Sequence, residues 1–561
     1  MMMRLRLCGW FSIAVVGLGC STSGEGSGGT TPGNDAAAGG GTGGASNPGG
    51  TGGATQGTGS GGSGGNVVPP DAATSSTGGA GIPMPEDRGN SVLERNNHAS
   101  RDGHFIQPML AHSKLASLAM DANFNANFAG AMWASPLYAE NGPNGMGVFI
   151  AATSSNTVYA LNETTGAVVW MATIGPAPKG TGAGCGNLSP YGILSTPVID
   201  AQARTVYVAG GVGTAGIDSH EVHALSLDDG KERTGWPIVA GKVIPGFVTP
   251  PQNQRGSLSL VNGILYVPYG GHYGDCGAYK GRVLAIDTKD PTKTGAFSAA
   301  GSKSAIWGAG GMASDGNGVV ALTGNGGPGV HQPENANGGD SEAAVRVTGL
   351  GMCDRSPANY YYPARWQAMD GADLDFGSNS PVFLQVPGAT PASYFAAPSK
   401  DGHLYFLDSK KLGGMAGHVF DLNFAQEGMS VHTAPGAYTT AKGAYVVLTT
   451  NGARCPNGGG GSVVMGVSVA VTAGAIKPVI AWCAPLGGNM TAPVATTTDG
   501  KSDATVWFMS GANIVGLDGD TGAMLASAGT CPGITRWTSP IAVKGRIIAG
   551  ATGKLCSWST K

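Results

Sequence analysis

Beyond about residue 90, apolar residues alternate with polar ones at a period of two, and the alternation is broken repeatedly by Gly, Asn-Gly or Asp-Gly. This pattern predicts short antiparallel strands joined by tight turns, and no long stretch of helical period competes with it. One unit recurs. It opens with Ser/Thr-x-Pro, passes through a strand, a Gly turn and a second strand, continues as apolar-x-Ala-Leu-Asp, and closes as Thr-Gly-x-x-x-Trp. The clearest copy runs from Val158 to Trp170, and others begin at Val222, Val283, Leu404 and Ile514.

Such a unit makes physical sense as a four-stranded blade. The Asp and the Thr-Gly form the tight turn between its two outer strands, and the Trp can cap the contact with a neighbouring blade. Opening prolines fall at Pro136, Pro197, Pro381, Pro435, Pro493 and Pro540, and the gap between Pro197 and Pro381 leaves room for two more openings, near Ser257 and Gly310. The expected fold is therefore all-β, an eight-bladed β-propeller, with seven blades as the alternative. The last blade reaches Cys556-Ser557-Trp558 with no room for a fourth strand, so a strand from His112 to Met120 is expected to complete it and remove the exposed edge.

The N-terminal end reads differently. Met1 to Arg6 is a short positive stretch, followed by an apolar run from Leu7 to Gly19 that stops at Cys20. It is too short to span a bilayer and has the form of a lipoprotein signal peptide (residues 1–19), leaving Cys20 as the lipidated residue. Gly17 stands where a branched aliphatic residue is usual, so secretion with an unmodified cysteine is the alternative. Residues 20–89 are dominated by Gly, Ser, Thr and Ala, a composition that cannot bury enough surface to offset the entropy of ordering, and read as a flexible linker. The propeller takes residues 90–561.

Charged residues make up 12% of the chain, the net charge is −3, and there is no basic run, which argues against nucleic acid as a partner. Seven cysteines remain beyond Cys20, and in an exported protein they read as disulfides with one thiol left over. Cys455 and Cys483 fall at the same end of blade 6, and Cys531 and Cys556 are similarly placed around blade 8. These two pairs are expected, with Cys185 to Cys276 as the third and Cys353 free. No C-x-x-C-H occurs, so a covalent haem of the c type is excluded.

The repeat resembles that of the pyrroloquinoline-quinone (PQQ) dehydrogenases over most of Trp133 to Trp558, a repeat also found in propellers without a quinone, such as the outer-membrane assembly lipoprotein. Ile306-Trp307-Gly308 opens blade 4, and Thr323-Gly324-Asn325-Gly326 follows its second strand. This is similar to the quinoprotein pattern in which the tryptophan lies flat under the quinone and the asparagine binds calcium. Asp370-Gly371-Ala372-Asp373-Leu374-Asp375-Phe376-Gly377 resembles the Trp-Asp-aromatic stretch of the alcohol dehydrogenases and the Asp-Phe-Gly variant of polyvinyl-alcohol dehydrogenase relatives. The resemblance implies Asp375 as the catalytic base, with Leu374 in place of the Trp. Gly377 stands where lanthanide-using members carry an Asp, which implies calcium as the metal.

By the same resemblance Lys400, in Ser399-Lys400-Asp401-Gly402, is the cation that contacts the quinone carbonyl oxygens. Asp275, in the loop after the second strand of blade 3, falls where the family has a metal-ligating Glu, with a one-residue insertion. The implied set is Trp307 and Lys400 for PQQ, and Asp275, Asn325 and Asp375 for Ca2+. The vicinal Cys-Cys pair that many of these enzymes carry above the quinone is absent. His220 and His223 fall on opposite strand faces without a third ligand and read as structural.

Two functions follow. One is a PQQ- and calcium-dependent dehydrogenase oxidising an alcohol, polyol or sugar. The other is a non-catalytic propeller lipoprotein that binds a protein or polysaccharide at the cell surface. In either case the expectation is a monomer held to the membrane only by its lipid, and Ser21 after Cys20 points to the outer membrane.

Overall fold

A computed structural model of the chain describes residues 89–326, 339–429, 433–458, 461–487 and 491–561. The expected signal peptide, Cys20 and nearly all of the expected linker lie outside the described residues. Those described form eight sheets, antiparallel except where His104–Ile106 and Gly414–Met415 each add a parallel strand, that follow one another along the chain as the blades of a β-propeller. No helix among them is long and apolar enough to cross a membrane.

Burial falls from axis to rim, and this explains the changing pattern along each unit. In blade 1 the second strand, Val148–Ala152, is buried at every position because neighbouring blades cover both its faces. The fourth, Val168–Thr173, is largely open to solvent, with Trp170 its buried residue. The same gradient runs from Gly443–Thr450 to Ala475–Pro485 in blade 6.

The turn residues of the repeat have two duties. The Asp518 side chain accepts the backbone N–H groups of Asp520 and Thr521 at 3.0 and 2.9 Å, and Asn162 does the same for Thr164 and Thr165. The glycine that follows is then read by the tryptophan of the preceding blade. Trp170 donates its indole N–H to the Leu227 carbonyl at 2.8 Å, and a Cβ on Gly230 would sit 2.7 Å from its ring. Trp482 repeats this on Gly519 and Gly522 of blade 7. With φ of +71° and +72°, Gly230 and Gly522 are required both by the turn and by the approaching indole.

Both expected prolineless blades are present. Ser259–Val261 is the inner strand of blade 3, while the inner strand of blade 4 is reduced to the bridge between Ala313 and Val320. Closure of blade 8 differs in detail from the sequence reading. Ala119–Met120 pairs with Lys554–Ser559 as expected, and Ala126–Asn127 pairs with it further along, but His112–Ser117 is a 3-10 turn. Leu115 of that turn is buried in the core shared by blades 7 and 8, where packing outweighs extension.

A second closure was not foreseen. The segment from Val92 to Gln107 crosses the axis and bonds to every blade. Val92 pairs with Tyr138 of blade 1, and Leu93 accepts Ile199 N–H of blade 2. Arg101 reaches Leu258 and Ser259 of blade 3 and the Met312 carbonyl beside blade 4. The carbonyls of Ala99, Ser100, Asp102 and Gly103 accept the N–H groups of Ser314, Phe383, Ala437 and Ala495, in blades 4 to 7. Gln107 then bonds Ala542 and Gly545 of blade 8. Arg101 is fully buried with Glu94 as its ion partner at 3.1 Å, so its charge is paired and its donors are used.

Candidate active site

In a blade, the connection from the second to the third strand and the crossing to the next blade emerge at the same end of the propeller. Trp307 and Asp375 stand in crossings, and Asp275, Asn325 and Lys400 follow second strands, so the topology alone brings the five together. All five line one cavity of about 560 Å³, within the range of small-molecule sites.

At its centre the Lys400 ammonium lies 2.5 Å from Asp375 Oδ2, while Asp375 Oδ1 accepts the Asn325 backbone N–H at 2.8 Å. Both side chains are about nine-tenths buried. Burial pushes the Asp375 carboxyl above its usual range, and Lys400 limits that rise. Burial alone would lower the Lys400 ammonium, but Asp375 raises it. Glycine lets the backbone come this close, since a Cβ on Gly324 would lie 2.2 Å from Asp375 Oδ1. Lys400 Nζ also lies 5.5 Å from the centroid of the Trp307 ring.

The calcium set is only partly assembled. Asn325 Oδ1 is buried with no hydrogen-bond partner, as expected of an oxygen awaiting a cation, and its amide nitrogen donates to Asp373 at 2.7 Å. Asp275 is on the same cavity, but its Oδ1 already accepts the Tyr279 hydroxyl at 2.6 Å. Among the described residues no group of three His, Cys, Asp or Glu side chains is arranged to hold a metal. The quinone side of the expectation fits better, with an indole, a buried cation and a cavity of suitable size at one place.

The lip of the cavity is stapled. Cys185 and Cys276 are bonded with Cα atoms 5.9 Å apart, joining the crossing from blade 1 to the second-to-third strand loop of blade 3. Cys455–Cys483 and Cys531–Cys556 are the other two bridges, and Cys353 is free, all as the sequence implied. Residues flanking the first bridge, Asn187 and Asp275, line the cavity. His220 and His223 are structural. His220 Nε2 bonds the Gln252 carbonyl, and His223 sits between Glu221 and Glu232.

Three contributors escaped the sequence reading. Arg255 lies over both the Trp307 ring at 5.0 Å and the Trp537 ring at 4.6 Å. Trp537 could have been found from the repeat, because Trp133 and Trp537 both stand three residues before a blade-opening proline. Glu342 carries no such signal. Its carboxyl is buried behind Asp375, with Oε2 accepting the Phe376 N–H at 2.5 Å and Oε1 unpartnered. Burial, then Asp375, pushes it well above the carboxylate range.

No protein-family model matches the chain, and no curated protein matches it. Solved structures do. The quinohemoprotein alcohol dehydrogenase of Comamonas testosteroni is 16% identical with a TM-score of 0.57, over 85% of this chain and 81% of that one. A quinohemoprotein alcohol dehydrogenase of Pseudomonas putida HK5 is 13% identical with a TM-score of 0.59, over 84% and 80%. A europium-containing methanol dehydrogenase is 14% identical with a TM-score of 0.52, over 83% and 91%. Identities this low speak for architecture alone, and on that evidence the chain has the β-propeller fold of the PQQ-dependent dehydrogenases.

Proposed function

We propose that the protein is an exported, lipid-anchored quinoprotein dehydrogenase that oxidises an alcohol, polyol or sugar. The observation that carries this reading is the meeting of Trp307, Asn325, Asp375 and Lys400 around one cavity, four residues drawn from separate loops of two blades. PQQ, when bound, would supply the hydride acceptor. Trp307 offers it an aromatic face, and Lys400 a cation for developing negative charge. Asn325 and Asp375 would hold calcium, with Asp275 completing the set once it leaves Tyr279.

The proton chemistry falls to Asp375. A carboxylate whose pKa is raised by burial is a stronger base, and Asp375 takes the proton of the substrate hydroxyl at a carboxylate oxygen. Lys400 keeps it charged at rest and must move off Oδ2 for that oxygen to work. Glu342 holds the next peptide N–H and so fixes the backbone from which Asp375 projects.

One observation favours the rival reading, a non-catalytic propeller binding a protein or polysaccharide. Both Asp375 oxygens are satisfied within the protein, an arrangement that is stable without metal or quinone. Incubation of the purified protein with PQQ and calcium decides between them. A bound-quinone spectrum with alcohol-dependent dye reduction is expected, and neither appearing would leave the binding role.

A further inference from the structure

The charges of the cavity are divided. On one side, Asp375 and Asp373 share Lys400, and Asp275 accepts Tyr279. On the other, Arg255 and Arg536 form no ion pair among the described residues, although both line the cavity. Arg255 uses its Nε–H on the Trp307 carbonyl at 3.1 Å, and its two terminal nitrogens have no acceptor among the described residues. Arg255 is half-buried, and stacking on two indoles supplies its guanidinium with neither a counter-charge nor acceptors, which leaves its terminal donors open to the cavity. Burial accordingly draws the Arg255 pKa down to about 10.

The fold also spends strain to hold a tryptophan against this guanidinium. Trp537 has a φ of +69°, a left-handed backbone that a bulky side chain rarely adopts, and it is held there by its carbonyl accepting buried Arg95. Strain of this kind at a cavity wall is a sign of a binding surface. Its product is a planar fork of donors pinned between Trp537 and Trp307, the geometry that suits a carboxylate.

We propose that the substrate alcohol carries a carboxylate, held by Arg255 and Arg536 while its hydroxyl faces Asp375. The inference rests on the dehydrogenase reading for the fate of that hydroxyl. The carboxylate subsite itself rests on the arginines. Arg255 and Lys400 lie 5.0 and 5.5 Å from the same ring centroid, so the cation of the subsite and the neighbour of Asp375 are no further apart than those distances together. A hydroxy acid of a few carbons bridges that span, which points to sugar acids rather than simple alcohols.

The test uses the full protein without added quinone and follows tryptophan fluorescence during titration with gluconate and, separately, glucitol, which differ at the carboxylate. Gluconate should bind and glucitol should bind at least about tenfold more weakly. Arg255→Gln should remove that preference, and Arg536→Gln, at an exposed residue, should reduce it while leaving the circular dichroism spectrum unchanged, which keeps the test valid if the Arg255 variant does not fold. Equal binding of the two probes, or binding of neither, overturns the proposal, as does a preference that survives in both variants. A repeat with PQQ and calcium separates the sources of the carboxylate. Gluconate binding beside PQQ supports the substrate subsite, and strict competition assigns the arginines to the quinone and overturns it. Failure of PQQ to bind at all would refute the dehydrogenase reading while leaving a gluconate preference in place.

Discussion

Asp375 and Lys400 meet at 2.5 Å inside the cavity, each supplying the counter-charge of the other. Neither charge could remain buried alone, so the two substitutions should not act independently. Lys400→Met is expected to cost about 3–5 kcal/mol by stranding a carboxylate, and Asp375→Asn combined with it should recover part of that loss. Urea denaturation of the two single variants and the double variant measures the coupling. In the quinone-loaded protein, Asp375→Ala should abolish dye reduction while the fold survives, and full activity in that variant would refute the assigned base.

Deleting residues 21–81 should leave the melting temperature within a degree or two, because a segment without large apolar side chains contributes no burial. Extending the deletion through Gln107 removes the bonds to all eight blades and the buried Arg101. That form should lose cooperative unfolding, and differential scanning calorimetry of the two truncations distinguishes the cases.

Peptide mapping without reduction should return Cys185–Cys276, Cys455–Cys483 and Cys531–Cys556. Burial pushes the Cys353 thiol up to about 11, so iodoacetamide should modify it slowly in the native protein and rapidly after denaturation. Replacing both Cys531 and Cys556 by serine opens a loop with a sequence separation of 25 and should cost about 3 kcal/mol.

His220 should make stability fall in mild acid. Burial lowers its folded pKa to about 4 from an ordinary value of 6.5, so between these limits the unfolded chain takes up a proton that the folded chain refuses. Its contribution is present above pH 6.5 and is lost as pH falls toward about 4, a change of up to about 3 kcal/mol. Denaturant midpoints across that range should slope more steeply in the native protein than in His220→Gln.

The blades could be read from the sequence because each is a local object. Strand period, turn residues and the Trp-to-Gly contact all lie within one unit or the next, so Trp170 and Gly230 carry their relationship in the repeat itself. The site was legible only through resemblance, since Trp307, Asn325, Asp375 and Lys400 are far apart in the chain and meet because of topology. Arg255 and Glu342 were not legible at all. An arginine between tryptophans of blades 4 and 8, or a glutamate behind another acid, is a fact of three-dimensional packing that no spacing encodes. The axial segment was hidden for the same reason, for apart from the side chains of Arg101 and Gln107 its bonds to the blades mostly use backbone groups, to which every residue type contributes equally.

That segment also acts as a ruler. The residues from Val92 to Gln107 are shared out among all eight blades, beginning on blade 1 and ending on blade 8, so the length of the segment is matched to a ring of eight. Propellers elsewhere gain or lose blades by duplication and deletion of whole units, because each unit meets only its neighbours. Here a ninth blade would shift every later bond of the segment out of step, and a lost blade would leave part of it without a partner. The blade number is therefore recorded twice, once in the repeats and once in the length of a strap that contains no repeat, and a change in one is tolerated only with a matching change in the other.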